Sequence, residues 1–159
     1  MTLTLDAKPY PGLIREFAEH AGLDPASLSM TEEVRIEGLP IGLALDGDEQ
    51  LGDVVMFAAL GKPAAQRWPE LARLLLEANH FWVGTGGAML AVQPETGIVT
   101  LWARLPLPGL DGAGLAEALD SFADAALFWR AQVLDEGAGA QAGSDLEALR
   151  MPFGLVQRA

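Results

Sequence analysis

Residues 69–133, PELARLLLEANHFWVGTGGAMLAVQPETGIVTLWARLPLPGLDGAGLAEALDSFADAALFWRAQV, decide the fold. Pro69 opens a helix over about 66–78, where its missing N–H costs nothing, and Asn79 is a natural stop. The cluster Gly84-Thr85-Gly86-Gly87 then turns the chain, and a strand follows over about 87–93. Pro94-Glu95-Thr96-Gly97 reads as a four-residue hairpin turn, proline early and glycine late. The return strand spans about 98–105, and Pro106-Leu107-Pro108-Gly109 ends it. Asp111 is the N-cap of a long helix to about Leu134. The apolar stripe of that helix is Leu115, Ala118, Leu119, Phe122, Ala126, Trp129 and Val133, with Leu127 and Phe128 off it.

Toward the N-terminus, Leu13, Ile14, Phe17, Ala18 and Ala21 recur at helical spacing, so a first helix is expected over about 11–21. Gly22 and the pair Asp24-Pro25 end it. Three strand-like segments follow. Val34 and Ile36 share a face, Gly38-Leu39-Pro40 turns the chain, and Ile41, Leu43 and Leu45 alternate up to the turn signal Asp46-Gly47-Asp48. The third, residues 53–60, is apolar on both faces. Such short links imply an antiparallel meander, because a parallel pair needs a long crossover. The element order is α-β-β-β-α-β-β-α, an α+β fold with a five-stranded, twisted antiparallel sheet and three helices. Residues 1–135 form this domain. Residues 136–159 read as a tail: a Gly/Ala linker (137–143, GAGAQAG), a capping-box pattern at Ser144–Glu147, and an apolar stretch, MPFGLV, at 151–156.

Composition excludes several function classes. The 159 residues carry a formal net charge of -12, which opposes approach to phosphate backbones and anionic bilayers. Nucleic acid and membrane insertion are therefore not expected. With no cysteine, disulfides and thiolate sites are ruled out. The longest apolar run, Val54 to Leu60, is too short to span a bilayer, and the first residues lack the apolar core of a signal peptide. A cytoplasmic protein is expected.

Catalytic readings fail one by one. The glycine cluster lacks the Lys-Ser/Thr of a phosphate loop, has Met89 where a dinucleotide fingerprint needs its third glycine, and precedes a strand rather than a helix. It reads as a tight turn with positive φ angles. Asp46, Asp48, Glu49 and Asp53 invite a calcium loop, but Leu51 and Phe57 stand where glycine and glutamate are required. His20 and His80 are the only imidazoles, and nothing in the sequence brings a nucleophile to either. No metal or cofactor site is expected. Apolar surface is what remains in excess. A half-buried sheet alternates apolar and polar residues, whereas the third and fifth strands do not. Either the chain's own helices cover both faces, or another polypeptide buries part of the surface.

The pieces LARLLLEANHFWVGTGGAMLAVQPETGIVTLWARLPL (71–107) and LDGAGLAEALDSFADAALFWRAQV (110–133) resemble the class I type III secretion chaperones, the Tir/CesT-type family. The resemblance extends over about residues 8–135. It implies a bacterial cytoplasmic homodimer without enzymatic activity or cofactor, which binds the N-terminal region of a secreted effector and keeps it extended. It implies a dimer interface at Leu71, Leu74, Leu75, Trp82, Met89 and Leu90, and client contacts at Ile14, Phe17, Val34, Ile36, Ile41, Leu43 and Phe57. Two other readings stand beside it: an adaptor of the same fold that binds a folded secretion component, and a small ligand-binding α+β domain with a cleft near His80, Trp82 and Thr85.

Overall fold

A computed structural model describes residues 8–134. The lead-in segment 1–7, the Gly/Ala linker, the capping-box segment and the MPFGLV stretch lie outside the described residues.

The first helix, α1 (Tyr10–Ala21), ends at Gly22, whose φ of 69° lets the Leu23 N–H reach back to the Ala18 carbonyl at 2.8 Å. A second helix that the sequence reading missed follows at once, α2 (Pro25–Thr31). The pair Asp24-Pro25 ends α1 and also starts α2. The Asp24 carboxylate accepts from the Ser27 N–H at 2.8 Å, and Pro25 takes the first helical position. The described fold thus has four α-helices where three were expected.

The strands are β1 (Glu33–Ile36), β2 (Leu39–Asp46), β3 (Asp53–Gly61), β4 (Met89–Val92) and β5 (Val99–Pro106). All pairings are antiparallel, in the order β1-β2-β3-β5-β4. The β1–β2 turn lies earlier than expected. It is the two-residue loop Glu37-Gly38, with φ of 49° and 78°, and Leu39 and Pro40 already belong to β2. Both positive φ values match the right-handed twist of a tight hairpin.

The long helix runs as read from sequence. The Asp111 carboxylate accepts from the Gly114 N–H at 2.8 Å and caps α4 (Gly112–Val133). Gly112 lets α4 start against α1, because a Cβ there would sit 2.7 Å from the Phe17 nitrogen. Between β3 and β4 lies α3 (Trp68–Asn79), preceded by a short 3₁₀ turn at Ala65–Arg67.

Side chains of β3 alternate into two clusters. Val54, Met56, Ala58 and Leu60 join the main core with the buried faces of all four helices. Val55, Phe57 and Ala59 point the other way and pack with Ile98, Ala44 and Trp102. No helix among the described residues contributes to this second cluster. Its centre is the Phe57 ring, which lies over Gly42 so closely that a Cβ there would meet ring carbons at 2.3–2.8 Å. The Gly42→Ala variant should therefore lose about 1–3 kcal/mol of stability, the usual cost of overpacking a filled site. Urea denaturation checks this, and an unchanged midpoint would contradict it.

Candidate protein-binding surface

The surface centres on the junction of α3 and β4, where the sheet ends. Asn79, the last residue of α3, ties the two together. Its side-chain nitrogen donates to the Leu90 carbonyl and its side-chain oxygen accepts from the Leu90 N–H, each at 2.9 Å. One side chain thus stands in for a neighbouring strand at the outer edge of β4.

Between them the chain makes the turn that the glycines announced. Gly86 and Gly87 have φ of 63° and 95°, in the left-handed region as expected. Phe81 and Trp82 also adopt positive φ, 51° and 56°, an uncommon conformation for aromatic residues. Three interior bonds fix the turn. The Trp129 indole N–H donates to the Gly84 carbonyl at 2.9 Å, the buried Thr85 hydroxyl donates to the Ala88 carbonyl at 2.5 Å, and the Gly84 N–H donates to the Ala78 carbonyl at 3.2 Å. Gly84 packs against Ala78, where a Cβ would meet the Ala78 backbone at 2.9 Å.

Held this way, the turn presents apolar side chains to solvent. Phe81, Trp82, Val83 and Met89 are exposed, as are Leu74 and Leu76 of α3 and Phe128 of α4. A cavity of about 460 Å³ opens beside them, lined by Trp82, Gly87, Met89, Ala91, Trp102, Ala103 and Arg104. Its walls are mainly apolar. The Arg104 guanidinium is already paired with Asp46 and, at 3.4 Å, with Asp53.

The residues named from sequence fall into two groups. Leu74, Trp82 and Met89 are exposed at this junction, whereas Leu71, Leu75 and Leu90 are buried beneath it in the main core. Val34 and Ile36 are partly buried on the edge strand β1. Ile14, Phe17, Ile41 and Leu43 are enclosed in the main core, at 3% exposure or less, and Phe57 fills the second cluster. Helical and strand periodicity identified an apolar face in each case but not its depth. Sequence reading missed the Asn79 bridge and the exposure of Leu76, Phe81 and Val83, whereas Phe128, placed off the stripe of the last helix, is exposed. The adjacent aromatics before a glycine turn were the available signal.

The other edge, β1, differs from β4. The Leu43 N–H donates to the Glu32 carbonyl at 2.8 Å, and the register pairs Glu33 with Gly42 and Arg35 with Pro40. Alternation along an antiparallel ladder then turns the backbone groups of Glu33 and Arg35 away from β2. Pro40 stands opposite Arg35, so its missing N–H removes no bond from this ladder.

Enzymatic elements stay apart. Among the described residues, no three His, Asp or Glu side chains gather in a way that could hold a metal ion. Asp48 spends its carboxylate on its own turn, accepting from the Gln50 and Leu51 N–H groups at 2.8 and 3.0 Å. His80 packs edge-on against Phe81. Thr85 does not share the Trp82 cavity; it lines a second cavity of about 290 Å³ with Ser121 and Phe122. No helix of the described residues is long and apolar enough to cross a membrane.

The fold recurs in solved structures, among them a type III secretion chaperone. A chain of the Yersinia pestis type III secretion chaperone SycH in complex with a stable fragment of YscM2 superposes with a TM-score of 0.55 at 24% identity, covering 75% of this chain and 98% of that one. A chain of the ExsC–ExsE complex gives 0.60 at 20% identity, covering 86% and 100%. A chain of the ExoT–SpcS complex from Pseudomonas aeruginosa gives 0.57 at 21%, covering 80% and 98%. No curated protein sequence matches the chain. The model of the Tir chaperone protein (CesT) family matches residues 12–130, and the chain belongs to that family.

Replacing Asn79 with Ala strands both polar groups of the buried Leu90 and should cost about 1–3 kcal/mol. Amide exchange at Leu90 should accelerate in the N79A variant. Unaltered exchange would show that the bridge does not hold the β4 edge.

Proposed function

We propose that this protein is a homodimeric, non-enzymatic type III secretion chaperone of the bacterial cytoplasm. It takes the N-terminal region of a secreted effector and keeps it extended and competent for export. Family membership supports this reading, as do solved relatives of the same fold that are complexes with other polypeptides, such as the ExoT–SpcS complex. The observation that carries it is the exposed apolar band at the α3–β4 junction, built on a rigid turn and lacking convergent polar groups for a small ligand. No cofactor is needed, and a charge of -12 keeps an otherwise adhesive surface soluble while opposing nucleic acid.

The two sheet edges divide the work. Leu74, Trp82 and Met89 form the contact between copies, with Leu71, Leu75 and Leu90 packed behind them. The client adds a strand at β1, where the Glu33 and Arg35 backbone groups face outward. Val34 and Ile36 meet its side chains, and Ile14, Phe17, Ile41, Leu43 and Phe57 back the sheet that carries them.

Copurification from the native host tests the reading. An unfolded effector N-terminus in the eluate is the expected result; a folded machinery component would favour an adaptor of the same fold. Two variants test the division. Trp82→Glu should convert the protein to a monomer by light scattering, because a charge would be buried without a partner. Arg35→Pro removes one outward N–H without breaking the β1–β2 ladder. It should weaken binding of the copurified effector's N-terminal segment about fivefold to tenfold, the worth of one hydrogen bond, while the melting temperature changes little. Full affinity in the R35P variant would remove β1 as the client edge.

A further inference from the structure

The β4 strand covers only part of β5. It pairs residues 89–92 with 99–102, so no described strand borders the outer side of β5 beyond Trp102. The Gln93 N–H donates to the Ile98 carbonyl at 2.9 Å, which sets the alternation along β5: the backbone groups of Ile98, Thr100, Trp102 and then Arg104 face the β4 side. The Leu107 N–H keeps the same phase, donating to the Gly52 carbonyl at 2.9 Å on the β3 side. Continuing the β4 register by two residues brings Gly87 opposite Arg104, but Gly87 has left the strand with a φ of 95°. A Cβ at Gly86 or Gly87 would meet nothing within 4 Å, and no described backbone bond joins either glycine to Arg104.

Cavities lie on both sides of this gap. The one of about 460 Å³ on the reverse face and the one of about 290 Å³ on the helix face share Gly87, Ala103 and Arg104. The first is also lined by Trp82 and Met89, which the proposed function gives to the contact between copies. None of the residues given to that contact lines the second, whose walls include Thr85, Leu105, Ala118, Ser121 and Phe122. We propose that this gap is a second docking site for the client, separate from β1. An extended stretch of client pairs with the Arg104 backbone and places one large apolar side chain in the helix-face cavity, beside a lysine or arginine that meets α4. The site rests on the chaperone reading above and adds to it a requirement on client sequence.

Backbone, volume and charge favour such a client. A pleated stretch sends alternate side chains to opposite sides, and here each side offers a cavity. The helix-face cavity lies at the lower end of the range for small ligands and suits a single side chain. Glu117 and Asp124 stand four residues before and three after Ser121, on the same side of α4, and both are exposed. Arg104, the one basic residue of the described walls, is already paired with Asp46 and Asp53. This rim draws a positively charged client residue and repels a second copy, whose net charge is -12. Two short contacts on one client act together. Once β1 holds one stretch, the other meets its site at an effective concentration of about a millimolar, so neither contact needs to be strong.

Amide exchange of the full-length wild-type protein reads the site without any substitution. Binding of the copurified effector's N-terminal segment should slow exchange at Arg104 about tenfold. A segment that binds and leaves Arg104 unchanged overturns the site and leaves the chaperone reading standing. Exchange that is already slow in the client-free dimer also overturns the site, because the protein itself then fills the gap. A segment that does not bind at all overturns the chaperone reading and the site with it. Ser121→Trp fills the cavity from its exposed rim. It should weaken binding of the segment about tenfold, while the melting temperature and the mass of the dimer stay as in wild type. Glu117→Lys with Asp124→Lys should weaken binding by a similar factor, most at low salt. Full affinity in the first variant overturns the cavity as the client's pocket, and full affinity in the second overturns the basic client residue.

Discussion

The structure depends on β3 being apolar on both faces. This strand sits at the centre of the sheet, paired with β2 and β5, and every side chain from Val54 to Leu60 is buried. A pleated strand sends alternate side chains to opposite sides, so one continuous apolar run demands two covers. The four described helices provide one. Their buried residues meet Val54, Met56, Ala58 and Leu60 in a single core. The reverse side closes around Phe57, whose ring needs Gly42 beneath it and Trp102 beside it, with ring centroids 5.8 Å apart. Val55, Phe57, Ala59 and Ile98 are thereby buried without any contribution from a described helix.

The same logic explains the two sheet edges. At β4, Asn79 takes the place of a neighbouring strand, and the turn behind it is locked by Trp129, Thr85 and the close packing of Gly84 on Ala78. That edge is apolar and held by these bonds, and the proposed function gives it the contact between copies. At β1, the short strand carries Glu33 and Arg35 with outward backbone groups and Val34 and Ile36 partly exposed. The proposed function gives this edge to the client, which would pair along the backbone and so place few demands on sequence.

Much of this was legible in the sequence, for identifiable reasons. The α4 helix announced itself through Asp111 and a seven-residue stripe. The glycine cluster was readable as a turn because it preceded a strand, and the hairpin at Pro94–Gly97 followed from turn chemistry. The α2 helix was hidden because Asp24-Pro25 can both end one helix and cap the next. The first hairpin turn was misplaced because Pro40 looked like part of the turn, whereas an edge ladder tolerates it opposite Arg35. Site residues were harder. Periodicity gives the face of a side chain but not its depth, so Leu71 and Leu74 looked equivalent although one is core and the other surface. The role of Asn79 depends on a strand that lies eleven residues downstream, and local pattern carries no trace of it.

The central claim is that the apolar surfaces of this protein are made for polypeptide, first for a second copy and then for a client. Native mass spectrometry of the protein purified with its effector's N-terminal segment measures this directly. The account predicts a dimer of this chain that retains the client segment, and a dimer when the client is absent. A monomer that retains no polypeptide in either preparation would contradict it.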